Sequence, residues 1–289
     1  MTGLAWMAVA QLLFAGMNVC TRLGAQRLPW SEVAVFRFLV GAAIAVLSAR
    51  QRRSDLRVHD RGSAWRRSVY GTLAAVCTFY ALASPRIALG DVATLGATAP
   101  IFVALLSWPL LSEPVDGWVT LAVLLGFIGV AAVVRPSLTV AMPVALIATI
   151  GAAFYALAMI WLRKIGPGES HEAVVLHFSL VALATCLLLA LPVWRWPDWR
   201  SALLLLGAGI GGGGGQIAMT RAYSLQRAAP VTALIGLGIV LTYLLAIPAL
   251  GDRPTTWQMA GSLLVIAAGL LLAIGSKPAL LARASSWWS

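Results

Sequence analysis

Residues 32–43 read EVAVFRFLVGAA and residues 172–183 read EAVVLHFSLVAL. Glu32 aligns with Glu172, Val35 with Val175, Arg37 with His177 and Phe38 with Phe178, all at an offset of 140. Phe14 and Phe154 share that offset, and Trp118 matches Trp257 at an offset of 139. Each of these tryptophans follows an acidic-proline turn, Glu113-Pro114 in the first half and Asp252-Arg253-Pro254 in the second. The chain therefore reads as one unit written twice.

Hydropathy says what each unit contains. Of 289 residues, 60% are hydrophobic and only 11% are charged, with a mean hydropathy of +0.88. A soluble domain carries about 25% charged residues to solvate its surface. This chain falls far short, so a water-soluble enzyme is excluded, and disorder with it. A helix needs about 20 apolar residues to cross a bilayer core of about 30 Å. Ten stretches qualify: 4–23, 31–49, 68–88, 92–111, 117–134, 143–162, 172–192, 201–221, 229–249 and 256–275. The connections are too short for a soluble domain. Residues 1–138 then hold five spans, residues 139–276 hold five more, and 277–289 form a tail. Because five is odd, the second unit enters the membrane upside down. The expected fold is an all-α membrane protein of ten transmembrane helices in two inverted five-helix repeats. Inverted repeats mark secondary transporters, with the substrate held between the halves near the midplane.

The net charge of +11 suits basic cytoplasmic loops better than nucleic acid, since no basic-aromatic module accompanies it. Segment 50–67 alone holds seven arginines, which places it in the cytoplasm and both termini with it. Thirteen Lys and Arg then fall on the cytoplasmic side and seven outside, Arg22 among them. Tryptophans near the span ends, such as Trp30, Trp65, Trp118, Trp194 and Trp257, read as an interfacial belt. Cys20, Cys77 and Cys186 lie in apolar stretches and read as small hydrophobes. The first apolar stretch lacks a basic leader and reads as a span rather than a signal peptide.

Catalytic signatures are missing. There is no Gly-x-Ser-x-Gly elbow, and His171-Glu172 lacks the second histidine of a zincin. No cofactor or metal is expected. The run Gly211 to Gly215 has no phosphate-loop lysine and reads as close helix packing or as a bending point centred on Gly213. All ten acidic residues lie in loops or at span ends, which argues against a midplane carboxylate for proton coupling. Arg37 and His177 lie inside spans at equivalent places. Each reads either as a gate or as a bland feature, a snorkelling arginine and a hydrogen-bonded histidine. The remaining polar and aromatic groups at mid-depth form the candidate pocket: Phe14, Asn18, Phe79, Tyr80, Thr94, Thr98, Phe102, Tyr155, Gln216 and Tyr243. Pro100 interrupts span four and makes it a candidate for bending.

FAGMN in span one, FRF in span two, ATLGATAPIFVALLSWPLLSEP and GFIGVAAVV give the chain a family look. LGDRPTTWQMAGSLLVIAAGLLLA echoes them in the second half. The whole resembles the EamA-type drug/metabolite transporters, and within them the YddG-like exporters of aromatic and neutral amino acids. The resemblance implies a bacterial inner-membrane carrier of small metabolites. The central spans of both halves would line its cavity, and spans five and ten would be peripheral. The second half departs from the pattern at Ile239, which stands where the first has Pro100. The partners expected are a small-molecule substrate and the lipid bilayer, with the chain working as a monomer. Competing readings are an exporter of drug-like amphiphiles, a proton-coupled carrier, a membrane scaffold and an intramembrane enzyme. The repeat weighs against the scaffold, and the missing nucleophile and metal motifs weigh against the enzyme.

The charge asymmetry makes a topology prediction. Reporter fusions after residues 60 and 289 should both give cytoplasmic signals, and a periplasmic signal at either position sinks the assignment.

Overall fold

The computed structural model describes residues 2–111, 117–134, 142–165, 169–225 and 234–275. The Glu113-Pro114 turn, the junction of the halves at 138–139 and the tail 277–289 lie outside the described residues. The helices are α1 (Gly3–Ala25), α2 (Trp30–Arg52), α3 (Arg61–Ala83), α4 (Leu89–Gly96), α5 (Ala99–Leu111) and α6 (Gly117–Val134). The second half holds α7 (Met142–Lys164), α8 (His171–Ala190), α9 (Trp199–Leu225), α10 (Ile235–Leu250) and α11 (Thr256–Gly275).

Each expected span has its helix, and the ends follow local chemistry. Thr2, Asp60, Ser170 and Asp198 accept hydrogen bonds from the backbone N–H groups of Ala5, Ser63, Ala173 and Ser201, which would otherwise go unpaired at a helix start. Gly251 ends α10 with φ of 71°, a left-handed turn that glycine adopts without strain. Span four differs from a straight helix. It breaks between Gly96 and Ala99, and Pro100 sits in the first turn of α5, where a missing N–H costs nothing. Its counterpart α10 runs unbroken from Ile235 to Leu250 past Ile239.

Among the described residues, seven segments are long and apolar enough to cross a membrane: Gly3–Ala25, Trp30–Arg52, Leu89–Leu106, Met142–Leu162, His171–Val193, Trp199–Met219 and Thr256–Ala273. Gly117–Val133 and Ile235–Leu250 are apolar but shorter. Helix α3 has the length, and its amino-terminal arginines lower its hydropathy.

The helices pair across the halves. Helix α1 packs on α9 and α3 on α7; α2 packs on α8 and α9, and α8 on α2 and α3. Helix α6 packs on α11, α1 touches α10, and α4 and α5 touch α7. Replacing each helix by the one five spans along leaves this set of pairings unchanged. Phe38 and Phe178, aligned by the sequence repeat, meet edge to face at 5.4 Å.

Two charge assignments need correction. Arg22 and Arg67 were counted as loop charges, yet they are 6% and 4% exposed within α1 and α3. Arg22 is drawn inward because its guanidinium donates to the carbonyls of Leu82 and Ile87, where the chain leaves α3. Arg67 enters the bundle because Gly71, one turn along, leaves room for its guanidinium against Phe178.

The glycine run brings α9 into close contact with α1 and α2. A Cβ at Gly211 would lie 2.7 Å from the Leu13 carbonyl oxygen and 3.1 Å from the Met17 nitrogen. At Gly213 it would lie 2.7 Å from Ile44 and 3.2 Å from the Gly41 Cα. Backbone cannot swing aside as a side chain can. Gly211→Val is therefore expected to destabilise the protein by about 1–3 kcal/mol. Gly16→Ala adds a methyl where nothing lies within 4 Å and should melt within about a degree of the parent. Thermal melts in nanodiscs compare the two.

Candidate functional site

The interior offers three polar constructions. The first ties the two halves at both ends of the α2–α8 pair. Glu32, fully buried at the start of α2, accepts the Arg195 backbone N–H at 2.6 Å. Glu172, its repeat partner at the start of α8, accepts from the Ser48 hydroxyl at 3.3 Å and lies 3.7 Å from Arg52 Nε. Because α2 and α8 run antiparallel, equivalent glutamates hold opposite ends of the pair. Close to the Glu172 end, Glu169 accepts the backbone N–H groups of His59 and Asp60 at 2.6 and 2.7 Å. Those bonds hold the Glu169 carboxyl below the usual range, with the Asp60 N–H contributing most. On the other end Arg27 and Asp198 form an exposed pair at 3.4 Å.

The second construction is a buried network. Asp91, 1% exposed in the first turn of α4, accepts from the Tyr243 hydroxyl at 2.5 Å and from the Gln258 amide. Ser262 lies 2.8 Å from Thr94 Oγ1 and 3.5 Å from the Tyr243 hydroxyl. Thr94 also donates to the Gly90 carbonyl at 2.9 Å. Gly90 has to lack a side chain, because a Cβ there would collide with the Tyr243 ring. The network joins α4 to α10 and α11.

The third is an open mouth of about 270 Å³ lined by Arg22, Ala25, Gln26, Ala83, Pro85, Leu250 and Asp252. It brings together the carboxy-terminal ends of α1, α3 and α10. Asp252 Oδ2 accepts the Leu89 N–H at 2.8 Å, so a cation and an anion share one small cavity. One turn deeper on α1, Asn18 donates to Thr242 Oγ1 at 3.4 Å and links α1 to α10 below the mouth. A second, narrow cleft of about 10 Å³ lies at the span-four break, against Ala97, Pro100, Ile239 and Val265. That is room for about one water.

The candidate residues divide accordingly. Thr94 and Tyr243 meet through Ser262, and Asn18 meets Thr242. Phe79 is 3% exposed and packs on Phe38 at 6.1 Å, deep in the core rather than on a cavity wall. Phe14 presses on Gly215, Thr98 caps the break by donating to the Leu95 carbonyl, and Phe102 stacks edge-on with Phe127 of α6. Tyr80 is 37% exposed and edge-on to Trp30 at the rim. Tyr155 and Gln216 are half-buried on α7 and α9. His177 bonds Ser68 at 2.8 Å and faces Trp65. Arg37 does not snorkel: it is 7% exposed, with its guanidinium 4.3 Å from the Phe38 ring centre, because Gly212 lets it turn inward.

Asp91, Gln258, Ser262, Arg67, Arg22 and Asp252 were not among the candidates. Asp91 does lie at a span end as expected, but it is buried. The signals were present as an acid beside the apolar VATLG and as Gln258 and Ser262 four residues apart on one helix face. Helix α11, expected to be peripheral, supplies both of the latter.

Residues 1–135 match the EamA-like transporter family. Its members are transporters, not enzymes. The chain is 28% identical to the pseudopaline exporter CntI of Pseudomonas aeruginosa over 96% of this chain and 97% of that protein. It is 29% identical to a riboflavin transporter of Vibrio cholerae over 78% and 77% of the two chains. Solute carrier family 35 member G1 of Homo sapiens is 26% identical over 72% of this chain and 61% of that one. A solved crystal structure superposes with a TM-score of 0.69 over 97% of this chain and 98% of the other, at 21% identity, which shows the fold. The chain is thus a multi-pass membrane transporter of small molecules.

The Asp91 network makes the prediction of this section. Tyr243→Phe removes one of two donors to a buried carboxylate and should cost about 1–3 kcal/mol. In an Asp91→Val background the same change should cost much less, because the orphaned acceptor is gone. Additive losses in thermal melts would show that Tyr243 acts through its packing alone.

Proposed function

We propose that this protein exports small metabolites, foremost neutral and aromatic amino acids, across the bacterial inner membrane by alternating access. The observation that carries the reading is the mouth of about 270 Å³ in which Arg22 and Asp252 face the same space. An amino acid carries a carboxylate and an ammonium a few ångströms apart, and paired opposite charges complement it. The volume is near the lower end for small-ligand sites. The two halves act as inverted repeats, which the exchange-symmetric pairing supports, and the Asn18–Thr242 bond serves as the closure beneath the mouth. Both termini are cytoplasmic, so this mouth opens outward.

The transport is facilitated, driven by the substrate's own gradient. His177 lies near a span end and is engaged with Ser68. One observation favours a second reading. Asp91 is a buried carboxylate at the interface of α4, α10 and α11, and a change in its protonation during the cycle would couple export to protons.

Proteoliposomes holding only this protein separate the two. With symmetric buffers and a protonophore, downhill flux of labelled phenylalanine or leucine should persist at a similar rate. An imposed pH gradient should drive no accumulation. Accumulation that vanishes in Asp91→Asn establishes coupling through Asp91, and accumulation that vanishes on replacing His177 assigns it there. No flux of any amino acid in a labelled panel ends the amino acid reading. Tyr155→Ala is expected to weaken aromatic flux several-fold while folded protein stays in the membrane.

A further inference from the structure

Arg37 and Arg67 are buried cations that belong to neither the mouth nor the Asp91 network. They come from α2 and α3 and are 7% and 4% exposed. The Arg37 guanidinium lies 4.3 Å from the Phe38 ring centre and the Arg67 guanidinium 4.0 Å from that of Phe178. Those two rings meet at 5.4 Å, so the cations flank one aromatic pair at the junction of the halves. The charge of Arg67 acts on Arg37, and the other titratable groups felt by the pair are Cys186 and Tyr155. His177 feels Arg67 from α8.

Glycines make the arrangement possible. A Cβ at Gly212 would lie 2.7 Å from Arg37 Nε, and one at Gly71 would lie 3.0 Å from Arg67 Nη1. Arg37 Nε, Arg67 Nε and Arg67 Nη1 are buried without a hydrogen-bond partner. Buried cations are ordinarily paired and hydrogen-bonded, since desolvation is costly. An aromatic face offsets only part of that cost. Two like charges raise it further. Three idle donors and two uncompensated charges define what is missing, an oxyanion.

We propose that Arg37 and Arg67 form the anion subsite of the transport path and receive the substrate's carboxylate when the halves part. This rests on the transport function proposed above and sharpens it. Guanidinium forks suit the planar, bidentate carboxylate, and the pair repels amines that lack one. The closed state stacks Phe38, Phe79 and Phe178 over the same place.

The test is binding to purified protein in nanodiscs, read as the thermal midpoint against ligand concentration. The probes are L-phenylalanine, its carboxamide, succinate and inorganic phosphate. L-Phenylalanine should stabilise the wild type and the carboxamide should not. Arg37→Gln and Arg67→Gln should each weaken L-phenylalanine about tenfold or more, while Arg37→Lys and Arg67→Lys should lose less. Arginine-dependent stabilisation by succinate or phosphate, with none by L-phenylalanine, supports the anion subsite and defeats the amino acid reading. Equal binding of acid and amide overturns the subsite, as does full anion affinity in both glutamine variants. Should those variants misfold, the acid-against-amide comparison in the wild type decides alone. Unaltered phenylalanine flux in folded Arg37→Gln and Arg67→Gln removes the subsite and leaves the amino acid reading standing.

Discussion

A helix in lipid gains little by burying leucine against leucine, because the hydrocarbon outside is as apolar as the bundle inside. Close approach of backbones has to do the work instead. That constraint is met where Gly207, Gly209, Gly211, Gly212, Gly213 and Gly215 of α9 lie against α1 and α2. It is met again where Gly129 of α6 crosses Gly261 of α11, a Cβ at Gly261 falling 2.5 Å from the Gly129 carbonyl. The glycines bring the first half onto the second, and the polar constructions follow from that closeness. Asp91 can reach Tyr243 and Gln258 only because α4, α10 and α11 converge at the bare backbone of Gly90.

Side-chain hydrogen bonds join the halves as well. The glutamates at the two ends of the α2–α8 pair, the Ser68–His177 and Asn18–Thr242 bonds and the Asp91 network are described side-chain links. The glutamate links lie at the ends of the α2–α8 pair. Between the end links, α2 and α8 meet through aromatic rings, with Arg37 of α2 and Arg67 of α3 lying against them. Rings can slide past one another at small cost, whereas a hydrogen bond left open in lipid costs several kcal/mol. This distribution suits an interface that rearranges while its ends stay registered.

Legibility in the sequence depended on the kind of residue. Hydropathy located a helical segment for each expected span, but it set the third at 68–88 where the helix runs Arg61–Ala83, and a proline pattern could not show the break at Gly96–Ala99 as two separate helices. Family motifs and the 140-residue offset identified the transporter class and the Glu32–Glu172 and Phe38–Phe178 pairs, which the structure places in latches and in contact. The pocket was read from polar and aromatic residues at mid-depth. Phe79 and Phe102 pack on other rings, while Asp91 read as an acid at a span end, Arg67 as one of the loop arginines of 50–67, and Gln258 was not singled out. Depth along a helix can be read from residue number, but the face a side chain presents to a neighbour cannot.

By itself, then, the sequence determined that the chain is helical and crosses a membrane many times, and it set out a pattern of letters that recurs in its two halves. These are properties of local hydrophobicity and of repeated letters, fixed before any helix meets another. Tertiary structure alone decided which charges are inside. Arg22, Arg37 and Arg67 look alike in a hydropathy profile, each an arginine within a turn or two of a span end. Their burial depends on carbonyls at Leu82 and Ile87, on Gly212 and on Gly71, contributed by other helices or by a later turn of the same one. A charge is stable away from water only where such groups converge on it, and convergence is a property of packing.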